Sequence, residues 1–221
     1  PITYVLKLKK NSKISKLLLN KNKHIACRVP KNKIFLKILK KLNKPIAAPS
    51  ANISNKVSPT TAFHVHDEFK NKINVIIDGG SSNVGIESTV IDLTKKPELL
   101  REGFITQKKI NTVLQIKVKK SNTINTSPGQ SFLHYSPGIP VYLNRKIPKK
   151  NGALLVFGKS RIKSNDLFYL SRKRSLTEAS KKLYQLLRKI KKNGYKNISV
   201  TPIPNKDIGV AINDRLKRSA K

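Results

Sequence analysis

Five short polar side chains, Ser50, Asn52, Ser54, Ser58 and Thr60, fall within one string, APSANISNKVSPT, at residues 48–60. A strand-to-helix loop of this type can surround phosphates with hydroxyls and backbone N–H groups, helped by the helix N-terminus that follows. The string also suits an ordinary capped turn. A second string, DGGSSNVGIESTVIDL at residues 78–93, opens with a Gly pair for a tight turn. Its Gly85 allows close approach of a backbone or ligand, and Ser88 and Thr89 stand at a strand mouth. A long hairpin fits that string equally. Arg28, at the end of an apolar stretch, has the planar fork that suits a carboxylate or phosphate, and Arg101 has the same character. Either can equally be a surface Arg lying along apolar neighbours. The four histidines, His24, His64, His66 and His134, show no zinc spacing, and Glu87 has no carboxylate partner by spacing. No Ser-His-Asp or Cys-His arrangement, P-loop or GxGxxG is present. Where these residues are not structural, their types suit binding of phosphate or carboxylate groups.

The elements that must hold these residues follow from periodicity. Strands are expected at 2–8, 24–29 (ended by Pro30), 46–48, 73–77, 89–93 and 99–101. A helix is expected at 34–42, stopped by Pro45, and another starts near Ser58-Pro59-Thr60. Residues 106–114 suit a short helix. Residues 117–140 carry Ser127-Pro128-Gly129 and Ser136-Pro137-Gly138 with little periodicity, as in a linker or functional loop. A second α/β pattern follows, with strands at 153–157, 167–170 and 198–200. Ser175 and Glu178 form a capping box that opens a long helix, with the stripe Leu176, Ala179, Leu183, Leu186, Leu187 and Ile190. Gly194 caps it, and a last helix covers 208–220. Strands alternating with helices argue an α/β class in both parts.

The 221 residues carry 47 Lys plus Arg against 11 Asp plus Glu, a formal charge of +36. Residues 45–107 depart from this: six basic against seven acidic, net −1, leaving +37 for the rest. The motif strings lie in that neutral window. Outside it the charge reads either as Lys- and Asn-rich drift on solvated surface or as attraction to nucleic acid. A transmembrane helix is excluded, since no apolar run reaches about eighteen residues. The stretch 2–8 is too short for a signal peptide. The single Cys27 excludes a disulfide framework and a cysteine-only zinc site; it reads as a small core residue in a reducing, cytoplasmic protein. The chain holds no Met and begins Pro1-Ile2-Thr3, which reads as a fragment truncated at its N-terminus.

The strings PITYVLKLK, ACRVP, PIAAPSANISNKVSPT, IIDGGSSNVGIESTVIDL and LLREGFIT occur in that order. They closely resemble the YrdC-like family, the threonylcarbamoyl-AMP synthases. PGQSFLHYSPGIPV resembles that family's inter-domain linker, and GALLVFG, the helix from Glu178 and IGVAINDRLKRSA resemble the C-terminal domain of its long form. The resemblance implies a twisted-sheet YrdC-like α/β catalytic domain at 1–115, incomplete at its N-terminus. It further implies a linker and active-site loop at 116–139 and a small Rossmann-like α/β domain at 140–221. The family's N-terminal portion, with a threonine-binding stretch and a Lys/Arg set that grips the triphosphate, has no match here. The fragment alone is therefore expected to be inactive and its parent active.

The family joins ATP, bicarbonate and L-threonine into threonylcarbamoyl-adenylate and releases pyrophosphate; the product feeds the t6A modification of tRNA. The resemblance implies that Arg28, Ala48 (through its backbone) and Ser88 bind L-threonine. Ser50, Asn52 and Ser58 would hold the ATP phosphates. Arg101 and Tyr135 would close on the nucleotide, and His24 falls where the family has a Thr or Ser near ATP. Mg²⁺ would accompany the triphosphate. No catalytic side chain and no protein-bound metal are implied. Further partners would be tRNA or double-stranded RNA and the downstream t6A transferase machinery, with no membrane. Asn55 stands where the family has Gly, Glu102 where it has Pro, and Gln130 where it has Met. Asn tolerates the left-handed region, so Asn55 is a mild change. The rival reading is a non-catalytic YrdC-like RNA-binding module, independent of threonine and steeply salt-sensitive. A carbamoyl-transferring maturation domain is disfavoured by the synthase-like C-terminal half and the lack of zinc-finger cysteines.

Overall fold

The computed structural model describes residues 1–20, 22–121 and 134–220. In chain order the elements are β1 (Ile2–Lys7), β2 (His24–Cys27), α1 (Lys33–Leu42), α2 (Ala62–Phe69), β3 (Thr89–Asp92), β4 (Glu98–Arg101), α3 (Gln107–Leu114) and β5 (Lys119–Lys120). Then come β6 (Val141–Tyr142), β7 (Gly152–Phe157), β8 (Leu167–Ser171), α4 (Leu176–Lys192), β9 (Asn197–Val200) and α5 (Ile208–Ser219). They fall into two compact units, each assembled from two stretches of chain. Pro1–Pro49 and Glu87–Ser131 make the first; Ser50–Ile86 and Phe132–Lys221 make the second.

The first unit is a mixed sheet in the order β2-β1-β3-β4-β5. β1 runs antiparallel to β2 and parallel to β3, and β4 is antiparallel to β3. The period of two in β1 divides its side chains between faces. Val5 joins Val90 and Leu100 in one apolar cluster, while Ile2 packs on the Ile91, Leu99, Ile110 and Val118 cluster. α3 starts where Thr106 Oγ1 accepts from the Lys109 amide, and it stops at Gln115 in the left-handed region (φ 55°). Asn32 and Asn43 cap the two ends of α1.

The second unit centres on a four-stranded parallel sheet, β6-β9-β7-β8. All six residues of β7 are buried. That explains its unbroken apolar run, since a central parallel strand is covered on both faces. α4 packs on this sheet through Ala179, Leu183, Tyr184, Leu187 and Ile190. Ser175 Oγ accepts from the Glu178 amide as the capping box requires. The return half of the box is relayed: the Ser175 amide donates to Ser171 Oγ, which donates to Glu178 Oε2.

Two expected strands do not form. Residues 46–48 and 73–77 are coil, and Val75 and Ile77 are 73% and 60% exposed. A short apolar run becomes a strand only where a ladder partner meets it, which periodicity does not reveal. The Ser58–Thr60 helix start also moves: Thr61 is the N-cap, and α2 begins at Ala62. Ser127-Pro128-Gly129 and Gln130 lie outside the described residues.

Candidate substrate-binding site

In the first unit, three neighbouring strands, β1, β3 and β4, bring their residues together at one end of the sheet. Ser88 leads into β3 and is almost wholly buried. Its carbonyl accepts from Arg101 Nε at 3.1 Å and its Oγ from Arg101 Nη2 at 3.2 Å. The same Oγ shares a 2.7 Å hydrogen bond with Thr3 Oγ1 of β1. Arg101 is thus oriented by β4 and by two contacts to one residue, a use that its planar fork allows and a Lys ammonium does not. Gly103 secures the entry: a Cβ there would stand 2.3 Å from the Thr89 amide nitrogen. Thr89 is fixed by its amide donating to the Pro1 carbonyl (3.1 Å) and its hydroxyl to the Ile105 carbonyl (2.6 Å). Glu102, beside Arg101, is buried.

Register places Arg28. Cys27 pairs with Tyr4, so Arg28 leaves β2 beside Thr3, while Ile2 pairs with Thr89 on the other side of β1. Arg28 and Ser88 therefore flank β1 towards the same end of the sheet, two strand spacings apart and offset by two residues along the strands. Arg28 is exposed, and so is Ala48, in the coil after α1. His24 pairs with Lys7 at the opposite end of β2, which separates it from Arg28 along the strand. Its amide donates to Asn20 Oδ1 at 2.9 Å.

In the second unit, residues 50–60 form a loop held at Asn52, Ile53, Asn55, Lys56, Val57 and Thr60. Asn52 is 8% exposed. Its Nδ2 donates to the carbonyls of Ile53 (2.9 Å) and Lys56 (3.2 Å), and its buried Oδ1 has no hydrogen-bond partner. The Ile53 amide donates to Glu68 Oε1 at 2.5 Å. Asn55 occupies the left-handed region at φ 67°, the conformation that Asn tolerates best after Gly. Its carbonyl accepts from the Ser136 amide at 2.9 Å, and Lys56 bridges to Ser136. The Val57 carbonyl accepts from Arg188 Nη2 of α4. His64 Nδ1 accepts from the Thr60 amide at 3.2 Å, and the Ser82 amide donates to the Thr60 carbonyl at 2.8 Å. Ser58 is half-buried in this loop, and Ser50 is exposed at its start. Tyr135 is fully buried in the core that also contains Val57. It stacks on Tyr184 at 5.7 Å, with the Arg215 guanidinium 5.4 Å from its ring centre, and its backbone is left-handed at φ 63°.

Burial, with the Arg188 charge behind it, holds His64 below its usual pKa, and Asp67 and Glu68 only partly oppose this. Burial pushes the Asp214 carboxyl up, but the Arg218 hydrogen bond and the charges of Arg215 and Arg218 outweigh it and leave the group below its usual value. Among the described residues no group of three His, Cys, Asp or Glu side chains is placed to hold a metal ion, and no helix is long and apolar enough to cross a membrane.

Sequence reasoning missed Thr3, Glu68, Arg188 and Tyr184. Glu68 carried one signal, a carboxylate inside the neutral window. The others are ordinary strand and helix residues, and only their partners single them out.

Two family models divide the chain. The Sua5, YciO and YrdC model, described as telomere recombination, matches residues 1–103. A model described as the threonylcarbamoyl-AMP synthase C-terminal domain matches residues 105–221. A threonylcarbamoyl-AMP synthase of Pyrococcus abyssi is 34% identical over all of this chain and 70% of its own length. A protein of that name from Bacillus subtilis is 33% identical over 89% of this chain and 63% of its own length. The crystal structure of P. abyssi Sua5 complexed with L-threonine superposes with a TM-score of 0.85 at 30% identity, covering 99% of this chain and 70% of that one.

Proposed function

The chain belongs to the threonylcarbamoyl-AMP synthase family, and from that premise we propose how its own residues serve the synthase reaction. ATP, L-threonine and bicarbonate give L-threonylcarbamoyl-adenylate and pyrophosphate, the nucleotidyl transfer that precedes t6A modification of tRNA. The observation that carries the assignment of roles is the convergence of Arg28 with the Thr3–Ser88–Arg101 network at one end of the first unit's sheet.

L-Threonine condenses with bicarbonate to N-carboxy-threonine and water. A carboxylate oxygen of that carbamate then attacks the α-phosphorus, forming the new P–O bond as the bond to the β-phosphate oxygen breaks and pyrophosphate leaves. Such a transfer needs alignment and charge neutralisation more than a nucleophile from the protein. Within the first unit, Arg28 takes the threonine carboxylate bidentately, with Ser88 and the Ala48 backbone as further contacts. Arg101, oriented by Ser88, serves the nucleotide there, whereas His24 lies at the opposite end of β2 from Arg28 and takes no part at that end. Within the second unit, Ser50, Asn52 and Ser58 meet ATP phosphates, whereas Tyr135 is fully buried against Tyr184 and does not reach a nucleotide from that position. Mg²⁺ enters as the counter-ion of the ATP substrate, since phosphate oxygens supply much of its usual coordination. Further proposed partners are tRNA or double-stranded RNA and the t6A transferase machinery, in the cytoplasm.

The test is pyrophosphate release by the full-length protein with ATP, Mg²⁺ and bicarbonate, with and without L-threonine. Release should depend on threonine. Arg28→Ala should raise the KM for threonine roughly ten- to a hundredfold, the worth of charge-assisted hydrogen bonds. Threonine-independent release, or a wild-type KM in Arg28→Ala, removes the assigned role. A folded protein that binds ATP and releases nothing points instead to the RNA-binding reading, which the +37 outside residues 45–107 favours.

A further inference from the structure

α4 presents Ser180, Tyr184, Arg188 and Lys192 at intervals of four, one above another on a single face. Each level of that face receives a different segment of the second unit. Gly85 lies so close to the carbonyls of Ser180 and Lys181 that a Cβ would stand 2.4 and 2.3 Å from them. Tyr135 stacks on Tyr184. Arg188 Nη2 donates to the Val57 carbonyl and pairs with Glu68 Oε2 at 2.5 Å. Lys192 Nζ stands 4.6 Å from the centre of the Phe63 ring, at the start of α2. Glu68 Oε1 in turn accepts from the Ile53 amide. Arg188 therefore grips the loop at two points, directly at Val57 and through Glu68 at Ile53, on either side of Asn55 and Lys56. The Glu68 side chain is 3% exposed and that of Arg188 18%, so water competes little for either.

We propose that this face of α4 positions the 53–60 loop for the triphosphate, with Arg188 as the positioning residue, so that the C-terminal half of the chain sets nucleotide affinity without touching nucleotide. The inference rests on the reading that Asn52 and Ser58 meet ATP phosphates. Arg188 reaches the loop backbone at Val57, one residue before Ser58. A shift of that carbonyl moves the Ser58 hydroxyl with it, and an error of about 1 Å is enough to weaken a positioned contact strongly.

The test compares Arg188→Ala, Arg188→Lys and Lys189→Ala with Ser58→Ala in the full-length protein. It measures KM for ATP, KM for threonine and thermal stability. Lys189 is exposed on the same helix, so its removal controls for charge alone. Arg188→Ala should raise the KM for ATP about tenfold or more and leave the KM for threonine unchanged. Arg188→Lys should fall between it and wild type, because one ammonium serves Glu68 and Val57 less well than the guanidinium fork. Lys189→Ala should match wild type. A role in folding alone would lower stability and leave the ATP KM of the folded variant at its wild-type value. A wild-type ATP KM in Arg188→Ala, or in Arg188→Lys should the alanine variant not fold, overturns the proposal; so does an equal rise in Lys189→Ala. If Ser58→Ala raises the ATP KM and Arg188→Ala does not, this inference fails alone. If neither raises it, the phosphate reading of the loop fails as well.

Discussion

Gly85→Ala should be among the most damaging single-methyl additions to this chain, and the reason is space rather than backbone torsion. The added Cβ would stand 2.3 Å from the Lys181 oxygen, 2.4 Å from the Ser180 oxygen and 2.7 Å from the Lys181 carbonyl carbon. Comfortable contact is near 3.5 Å, so the segments must part by about 1 Å. Neither can yield locally. The obstructing atoms are helix backbone, and the same turn of α4 is backed by fully buried Ala179 and Leu183. Overpacking generally costs about 1–3 kcal/mol, and backbone against backbone belongs at the upper end. At about 2–4 °C per kcal/mol for a chain of this size, the melting temperature should drop by roughly 6–12 °C. Gly80→Ala is the matched control. Gly80 sits at φ +77° with nothing within 4 Å of its added Cβ, so its cost is torsional, about 1–2 kcal/mol. Urea titration with an unchanged slope isolates stability from changes in the unfolded state. A Gly85→Ala midpoint within about 0.5 kcal/mol of wild type, or one above that of Gly80→Ala, would refute the close approach of the 80–86 segment to α4.

The His64 ring accepts from the Thr60 amide through Nδ1, which a protonated ring cannot do. Because its folded pKa is depressed, the unfolded chain binds the proton more readily. The stability it lends is complete above about pH 6.5 and is lost as the pH falls below that value; His64→Gln should flatten the decline in thermal stability between about pH 7 and 5. In the core, Leu183→Ala should cost about 3–5 kcal/mol because Leu183 is fully buried between α4 and the sheet. Leu186→Ala, on the same helix but only half-buried, should cost clearly less in the same denaturant titration; equal losses would contradict the facing assigned to α4.

The strands and helices whose signals are carried by their own side chains were legible in sequence. β7 announced itself as an unbroken apolar run, α4 by its stripe and Ser175–Glu178 cap, and α3 by Thr106. What failed depended on a partner. Residues 73–77 are as apolar as a strand yet find no ladder. The path of the cap through Ser171 was invisible because a hydroxyl from the preceding strand supplies it. Periodicity placed Leu186 in the stripe beside Leu183, but the outward turn of the helix leaves it half-buried while Tyr184 goes in. Among the candidate site residues, the motif strings pointed to Ser88, Arg101, Asn52 and Ser58. Their supports were beyond reach, because Thr3 lies 85 residues from Ser88 and Arg188 lies 120 from Glu68.

The distance in sequence between the loop and Arg188 has a bearing on biosynthesis. Val57 leaves the ribosome 131 residues ahead of the arginine that clamps it. At about 5–20 residues per second, the 53–60 loop exists for roughly 7–26 s before its clamp has been made. During that interval Val57 has no α4 to lie against, and the strands β3 and β4 of the first unit emerge after it. The nascent chain therefore spends seconds with half of its second unit unassembled. Slowing translation between residues 86 and 175 should lengthen the exposure, and holding chaperones should bind this segment in preference to the contiguous β7–α5 region.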